Sequence, residues 1–353
     1  MPCAIITGAG GQDGSYLSEL LLEKGYHVYG MIRRSSSMII LDRLKDARKH
    51  PHFKIMYGDV TDMASILSIL NDTLHDPCVD DGPLEVYNLA AQSHVKVSFE
   101  TPIYTANADG VGVLNMLQAI ITLKLTEKVR FYQASTSELY GDSPVPQNED
   151  TPFRPRSPYA VAKLYAYWIV RNYRDAYNMF AVNGILFNHE SERRGETFVS
   201  RKITRAVAEH HHLQEKAQPL VLGNIYSLRD WGHANDYVQA MWKMLQMEEM
   251  DDYVIATNVS HTVKEFVELA FLEIGIIIRW EGHAESEKGY DTHTGKLVVC
   301  IDPMYYRLTE VNHLHGDATK ANTVLEWTPI ISFQQLVKQM VKHDILTHDS
   351  SLA

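Results

Sequence analysis

The stretch QASTSELYG, residues 133–141, sets one carboxylate, Glu138, among the hydroxyls of Ser135, Thr136 and Ser137 at the end of an apolar run, VRFYQA. Two readings are open for Glu138: a carboxylate turned to water at a strand end, or a group with a proton to move. Farther along, SPYAVAKLYAYW opens on Ser157, a suitable helix N-cap, with Pro158 at the first helical position. That start places Tyr159 and Lys163 at i and i+4 on one helix face, near the positive end of the helix. A phenol with an ordinary pKa near ~10 is a poor base at neutral pH. A neighbouring ammonium, and any positive charge brought by a cofactor, should lower it. Such a phenol takes the proton of a hydroxyl while hydride leaves the same carbon.

Hydride needs an acceptor, and the N-terminus carries the pattern for one. ITGAGGQDGSY follows the first β-rich run, with Gly8, Gly11 and Gly14 spaced G-x-x-G-x-x-G and Gly10 in addition. Glycines let the chain turn tightly and approach a pyrophosphate, and the helix that follows offers free N–H groups to it. In a strand–turn–helix context this motif predicts a dinucleotide site. The second β-rich run ends in GMIRRSSS. Arg33 and Arg34, then the serine hydroxyls, stand where an NAD enzyme usually carries an acid; cations there suit a 2′-phosphate, hence NADP. Asp59, in YGDVTD, either reaches the adenine or caps the next turn. NLAAQSHV, after the fourth β-rich run, holds small residues that let a nicotinamide lie close to the backbone.

These groups need a frame. CAIITG, HVYGMI, KIMYGD, EVYNLA, RFYQAS and FAVNGILF read as strands, separated by amphipathic helical patterns such as SYLSELLLEKG. The alternation predicts an α/β, Rossmann-type, doubly wound parallel sheet, in which ligands bind beyond the strand C-termini. After Asn188 the rhythm breaks. NHESERRGETFVSRK shows no strand pattern, helices are expected through TRAVAEHHH and HANDYVQAMWKMLQ, and a strand near PLVLGN. Two or three more helices are expected over 261–353, with 281–296 as an exposed loop. The implied division is a cofactor-binding domain over 1–185 plus about 230–260, and a smaller, mostly helical substrate domain over 186–229 and 261–353. His210, His211 and His212 diverge around a helix axis, so they are read as a solvated face and no metal site is expected.

At 353 residues the chain exceeds what one core usually serves. Its 45% hydrophobic and 22% charged residues fit a globular protein. A net charge of −11 argues against non-specific nucleic-acid binding but not against an anionic small molecule met by local arginines. Cys3, Cys78 and Cys300 lack C-x-x-C spacing and are expected as reduced thiols. MPCAIITGAG has no basic leader, and the longest apolar stretch, IGIIIRW, is too short for a membrane span, so a cytoplasmic protein is expected.

The glycine loop followed by Tyr-x-x-x-Lys resembles the extended short-chain dehydrogenase/reductase family. Within it, RRSSS, AAQSHVKVSFETPIYTA, QASTSELYG, SPYAVAKLYAYW, NHESERRGETFVSRKI, LGNIYSLRDWGHANDYV and IDPMYYRLTEVNHLHGD are similar to blocks of the GDP-mannose 4,6-dehydratases. The resemblance implies bound NADP and a reaction in which Tyr159 takes the C4 hydroxyl proton and hydride passes to NADP+. Glu138 then removes the C5 proton and returns it to the departing C6 hydroxyl, and hydride comes back at C6. Thr136 and Ser137 are implied to hydrogen-bond the C4 oxygen and the substrate. It implies cofactor contacts from Gly8, Gly11, Gln12, Asp13, Gly14, Arg33, Ser35, Ser36, Asp59 and Val60. Leu89, Ala90, Ala91, Ser93, Tyr104, Tyr159, Lys163, His189 and Arg194 complete that set. Ser93, Asn188, Lys202, Gly223, Asn224, Arg229, Arg307 and Glu310 are implied to hold the GDP-sugar. It further implies a homodimer or homotetramer, with the basic stretch 33–43 touching a neighbouring subunit. The chain departs from the family pattern at Glu192, where proline is usual.

Three other functions compete with this one: action on a different nucleotide sugar, a bifunctional enzyme that also reduces the 4-ketone to GDP-rhamnose, and an NADP-binding regulatory protein without turnover. The intact Glu138, Tyr159 and Lys163 argue against the last.

Overall fold

β1 (Cys3–Thr7) is buried along its whole length, and its side chains alternate between two cores. Ala4 and Ile6 point to one face of the sheet, Cys3 and Ile5 to the other, as a two-residue period requires. The computed structural model describes residues 1–34, 39–76, 82–306 and 309–352. Ser35, Ser36, Arg307 and Cys78 therefore lie outside the described residues; Cys3 and Cys300 carry free thiols.

β1 is an interior strand of a seven-stranded sheet. β2 (His27–Ile32) and β3 (Phe53–Tyr57) extend it on one side. On the other side follow β4 (Leu84–Asn88), β5 (Val129–Thr136), β6 (Phe180–Leu186) and, farther along the chain, β10 (Tyr253–Ile255). Every pairing is parallel. The first six strands lie where the sequence places them. The order reverses beside β1, the switch point at which doubly wound sheets bind ligands.

α1 (Gln12–Glu23) and α6 (Ala234–Gln246) cover one face through Leu17, Leu21, Val238 and Met241. α2 (Met63–Leu74), α3 (Gly112–Thr122) and α4 (Pro158–Tyr177) cover the other through Ile66, Leu70, Leu117, Ile120 and Val170. A third core joins α5 (Val199–Leu213), α7 (Val263–Leu272) and α8 (Phe333–Leu352) around Trp231 and Phe266. Each fully buried aliphatic or aromatic side chain there contributes on the order of 1.5–3 kcal/mol.

The helical C-terminal region is present, and it also carries two small sheets. β7 (Asn188–Glu190), β9 (Leu228–His233) and β11 (Ser260–Thr262) form one. The other holds β8 (Leu220–Leu222), β12 (Ile278–Glu281), β13 (Lys288–Asp291) and β14 (Leu297–Ile301). β7 corrects the reading of NHESERRGETFVSRK as a stretch without a strand, while β8 lies in PLVLGN as expected. β13 corrects the exposed loop over 281–296, since Gly289 and Asp291 are buried between antiparallel neighbours. His210 is buried against Phe271 with its Nδ1 2.9 Å from the Ala206 oxygen, so the histidine run is not wholly a solvated face. Among the described residues no helix is long and apolar enough to cross a membrane.

Candidate active site

The C-terminal ends of the central strands open into a cavity of about 650 Å³. Every described residue that the sequence nominated lines it except Arg34, from Gly8 in the first loop to Glu310.

At the cofactor end, Gly8 turns with φ +69, and a Cβ there would stand 3.0 Å from Ala90 Cα. A Cβ on Gly14 would stand 2.5 Å from the Gly8 carbonyl oxygen. The N-cap of α1, Gly11, makes no side-chain capping bond, so the first-turn N–H groups of the helix face the cavity. This glycine cradle fits the pyrophosphate of a dinucleotide. Gly14→Ala should cost about 1–3 kcal/mol of stability by overpacking against backbone and should weaken dinucleotide binding, as thermal denaturation and cofactor titration would show.

Gln12 and Asp13 reach across to the second half of the chain. Gln12 donates to the His189 carbonyl oxygen at 3.0 Å and accepts from Ser191 at 2.8 Å. Asp13 Oδ2 lies 2.7 Å from His189 Nε2. Burial opposes both charges, but the pairing outweighs it, holding the Asp13 carboxyl below and the His189 imidazole above their usual values. Arg194 pairs with Glu190 at 3.1 Å. Glu192, the departure from the family pattern, accepts from Tyr16 at 2.6 Å. Burial pushes its carboxyl up, but hydrogen bonds from His233 and Tyr16 overcome this and bring it to about 2.

Arg33 leaves β2 toward the cavity and donates to Tyr104 at 2.5 Å, while Arg34 lies over the Tyr57 ring at 4.2 Å. Asp59 accepts from the amide and hydroxyl of Thr61 at 2.9 and 2.8 Å, the turn-capping arrangement left open by the sequence, and it also lines the cavity.

At the reacting end, β5 runs into a short 3₁₀ turn, Ser137–Leu139, whose cap is the Thr136 side chain accepting from Glu138 N–H at 3.2 Å. Glu138 is thereby held at the cavity wall with 7% of its surface exposed. α4 starts as the sequence predicts: Ser157 accepts from Ala160 N–H at 3.1 Å, with Pro158 first. Tyr159 and Lys163 are both buried, and Lys163 donates to the Ala134 carbonyl at 3.0 Å, tying α4 to β5.

The expected lowering of the Tyr159 pKa is not found in the protein alone. Burial, then the Asp109 carboxylate, push the phenol well above its usual value, while a hydrogen bond with Thr136 pulls the other way. Burial also lowers Lys163.

At the far end lie Asn188, Lys202, Gly223, Asn224, Arg229 and Glu310. Arg229 stands 3.6 Å from Glu310, and Lys202 lies 3.7 Å from the Tyr305 ring centre. A Cβ on Gly223 would meet the Tyr305 carbonyl at 2.7 Å. Sequence reasoning missed two cations of the cavity. Lys96 sits in the AAQSHVKVSFE block without having been assigned. Arg43 belongs to the stretch read as a subunit contact, yet it lines the cavity, 3.3 Å from the Gly10 carbonyl. Arg33, Arg43, Lys96, Arg194, Lys202 and Arg229 together give this acidic chain a cationic cavity.

The chain matches the family described as "GDP-mannose 4,6 dehydratase" over residues 5–340. It is 54% identical to human GDP-mannose 4,6 dehydratase over 349 residues, covering 97% of this chain and 91% of that protein. It is 55% identical to the GDP-mannose 4,6-dehydratase of Sinorhizobium fredii, covering 97% and 96% of the two chains. The structure of dTDP-glucose 4,6-dehydratase from Bacillus anthracis in complex with NAD superposes with a TM-score of 0.77 at 19% identity, covering 99% and 98%, which shows the shared fold. With its glycine cradle and its Glu138–Tyr159–Lys163 constellation on one cavity wall, the chain belongs to the GDP-mannose 4,6-dehydratase family.

Proposed function

We propose that the cavity converts GDP-mannose to GDP-4-keto-6-deoxymannose and water, with NADP as the resident cofactor. The observation that carries this reading is Glu138 and Tyr159 on one wall of a cavity that joins a dinucleotide cradle to a cationic far end. The cradle of Gly8, Gly11 and Gly14 would hold the dinucleotide, whose nicotinamide would supply a hydride acceptor for C4 and a hydride donor for C6. Tyr159 takes the proton of the C4 hydroxyl. The C4 ketone acidifies the C5 proton, which Glu138 removes and then delivers to the departing C6 hydroxyl; a proton from solvent completes C5 as hydride arrives at C6, balancing the one Tyr159 took from the C4 hydroxyl. Thr136, bonded to both the Glu138 amide and Tyr159, holds the C4 oxygen between them. Lys163 anchors α4 and supplies the positive charge that a phenolate needs. Lys202, Arg229 and Arg307 meet the diphosphate, and Glu310 accepts from a ribose hydroxyl.

Arg33 at the end of β2 supports NADP over NAD. Arg33→Asp should lower NADP affinity about tenfold and leave NAD affinity nearly unchanged in a fluorescence titration; equal losses for both would assign Arg33 elsewhere. Apart from His189 and Arg194, the nominated cofactor residues lie on the strands, loops and helices of the large-sheet region, so we assign cofactor binding to 1–185 with about 230–260, and GDP-sugar binding to 186–229 and 261–353. Exposed Val161, Tyr165 and Trp168 on α4, with exposed Ile103 on the helical turn Pro102–Ala106 that packs against α4, support a homo-oligomer.

A further inference from the structure

The helical run from Pro102 to Thr122 is not one regular helix. Pro102–Ala106 and α3 are α-helical, and Asn107–Val111 between them makes a π turn. Such a turn disturbs the regular hydrogen-bond ladder of the helix, and it occurs frequently at functional sites. The residue at its middle is Asp109, which is fully buried. Its Oδ1 accepts from the Gln92 amide at 2.7 Å. Its Oδ2 is buried with no hydrogen-bond partner. The turn packs on α4: a Cβ on Gly110 would lie 3.4 Å from the carbonyl of Ala162, the residue before Lys163. A carboxylate half-bonded in the interior is costly.

We propose that Asp109 is a positioning residue for the proton chemistry of the site: through the Gln92 amide it fixes the 89–93 wall, and through its charge it sets the balance between the Lys163 ammonium and the Tyr159 phenol. The inference rests on the dehydratase reading. Segment 89–93 contributes Leu89, Ala90, Ala91 and Ser93 to the cavity, so an anchor at Gln92 acts on the face that meets the nicotinamide. Asp109 favours the charged form of Lys163 against burial and opposes the charged form of Tyr159. Burial pushes its own carboxyl to about 6, with Lys163 pulling the other way. The other charges facing the pair are Glu138 and Arg194 toward Tyr159, and Asp13, itself paired with His189, toward Lys163.

The test is the pH dependence of kcat for GDP-mannose dehydration at saturating NADP. Asp109→Asn keeps an acceptor for Gln92 and removes the charge. Both limbs of the profile should move toward acid by about one pH unit, because Tyr159 and Lys163 then each lose protons more readily, while KM for GDP-mannose changes less than about threefold. Asp109→Ala should add a weakened NADP affinity by freeing Gln92. A purely structural role would lower activity and leave the profile in place, and superimposed profiles would overturn the proposal. Should Asp109→Asn not fold, infrared difference spectra of the Lys163→Met protein against the unmodified one serve instead. A carboxyl band that titrates near 6 and moves upward when Lys163 is removed is expected, and its absence would overturn the proposal. If the unmodified chain forms no product from GDP-mannose, the dehydratase reading fails first and takes this inference with it.

Discussion

Glu138→Gln should leave oxidation at C4 intact and stop the loss of water. The substitution keeps the side chain's size and its place at the wall, where Thr136 caps the turn that carries it. It removes the one property that dehydration needs, a carboxylate able to take the C5 proton and give it back. Product formation should fall by about 10³-fold, within the usual range for a lost general acid–base. Two readouts separate the steps. Reduced nicotinamide should still form, to at most one per site, because Tyr159 and Lys163 are untouched. In deuterated water, no label should enter C5 of the recovered sugar. Full dehydratase activity in this variant would remove Glu138 from the mechanism.

Tyr159→Phe should abolish both steps, since no C4 ketone forms and the C5 proton is never acidified. A loss of about 10³–10⁴-fold is expected, with GDP-mannose binding changed little, because the diphosphate cations lie at the other end of the cavity. Burial and Asp109 hold the phenol above its usual value in the protein alone. Activity in the unmodified enzyme should therefore rise with pH as Tyr159 ionises, and the positive nicotinamide should bring that rise to lower pH. A Phe variant that retains C4 oxidation would place the base elsewhere.

The parts of the site legible in the sequence are those whose chemistry is local. Gly8, Gly11 and Gly14 reveal themselves because a turn and a close backbone approach each demand glycine at fixed spacing. Tyr159 and Lys163 do so because Ser157 and Pro158 mark where their helix begins. What stayed hidden depends on distant partners. β7, β10 and β11 are three residues each and exist only through pairing with strands far along the chain. Asp13 and Gln12 read as cofactor contacts, yet their side chains also bridge to His189 and Ser191, more than 170 positions away. Asp109 sits in TANADGVG, where nothing local singles it out, and only the folded structure shows that its carboxylate is buried in a π turn. For the same reason the direction of the Tyr159 shift was not legible: its spacing to Lys163 is written in the sequence, and its proximity to Asp109 is not.

The most direct test incubates the purified protein with GDP-mannose and a catalytic amount of NADP+, and follows the nucleotide sugar by mass spectrometry. The account predicts loss of one water per sugar with no net build-up of NADPH, and no further gain of two hydrogens when NADPH is added. Unchanged GDP-mannose, or turnover that consumes NADPH in proportion to product, would contradict it.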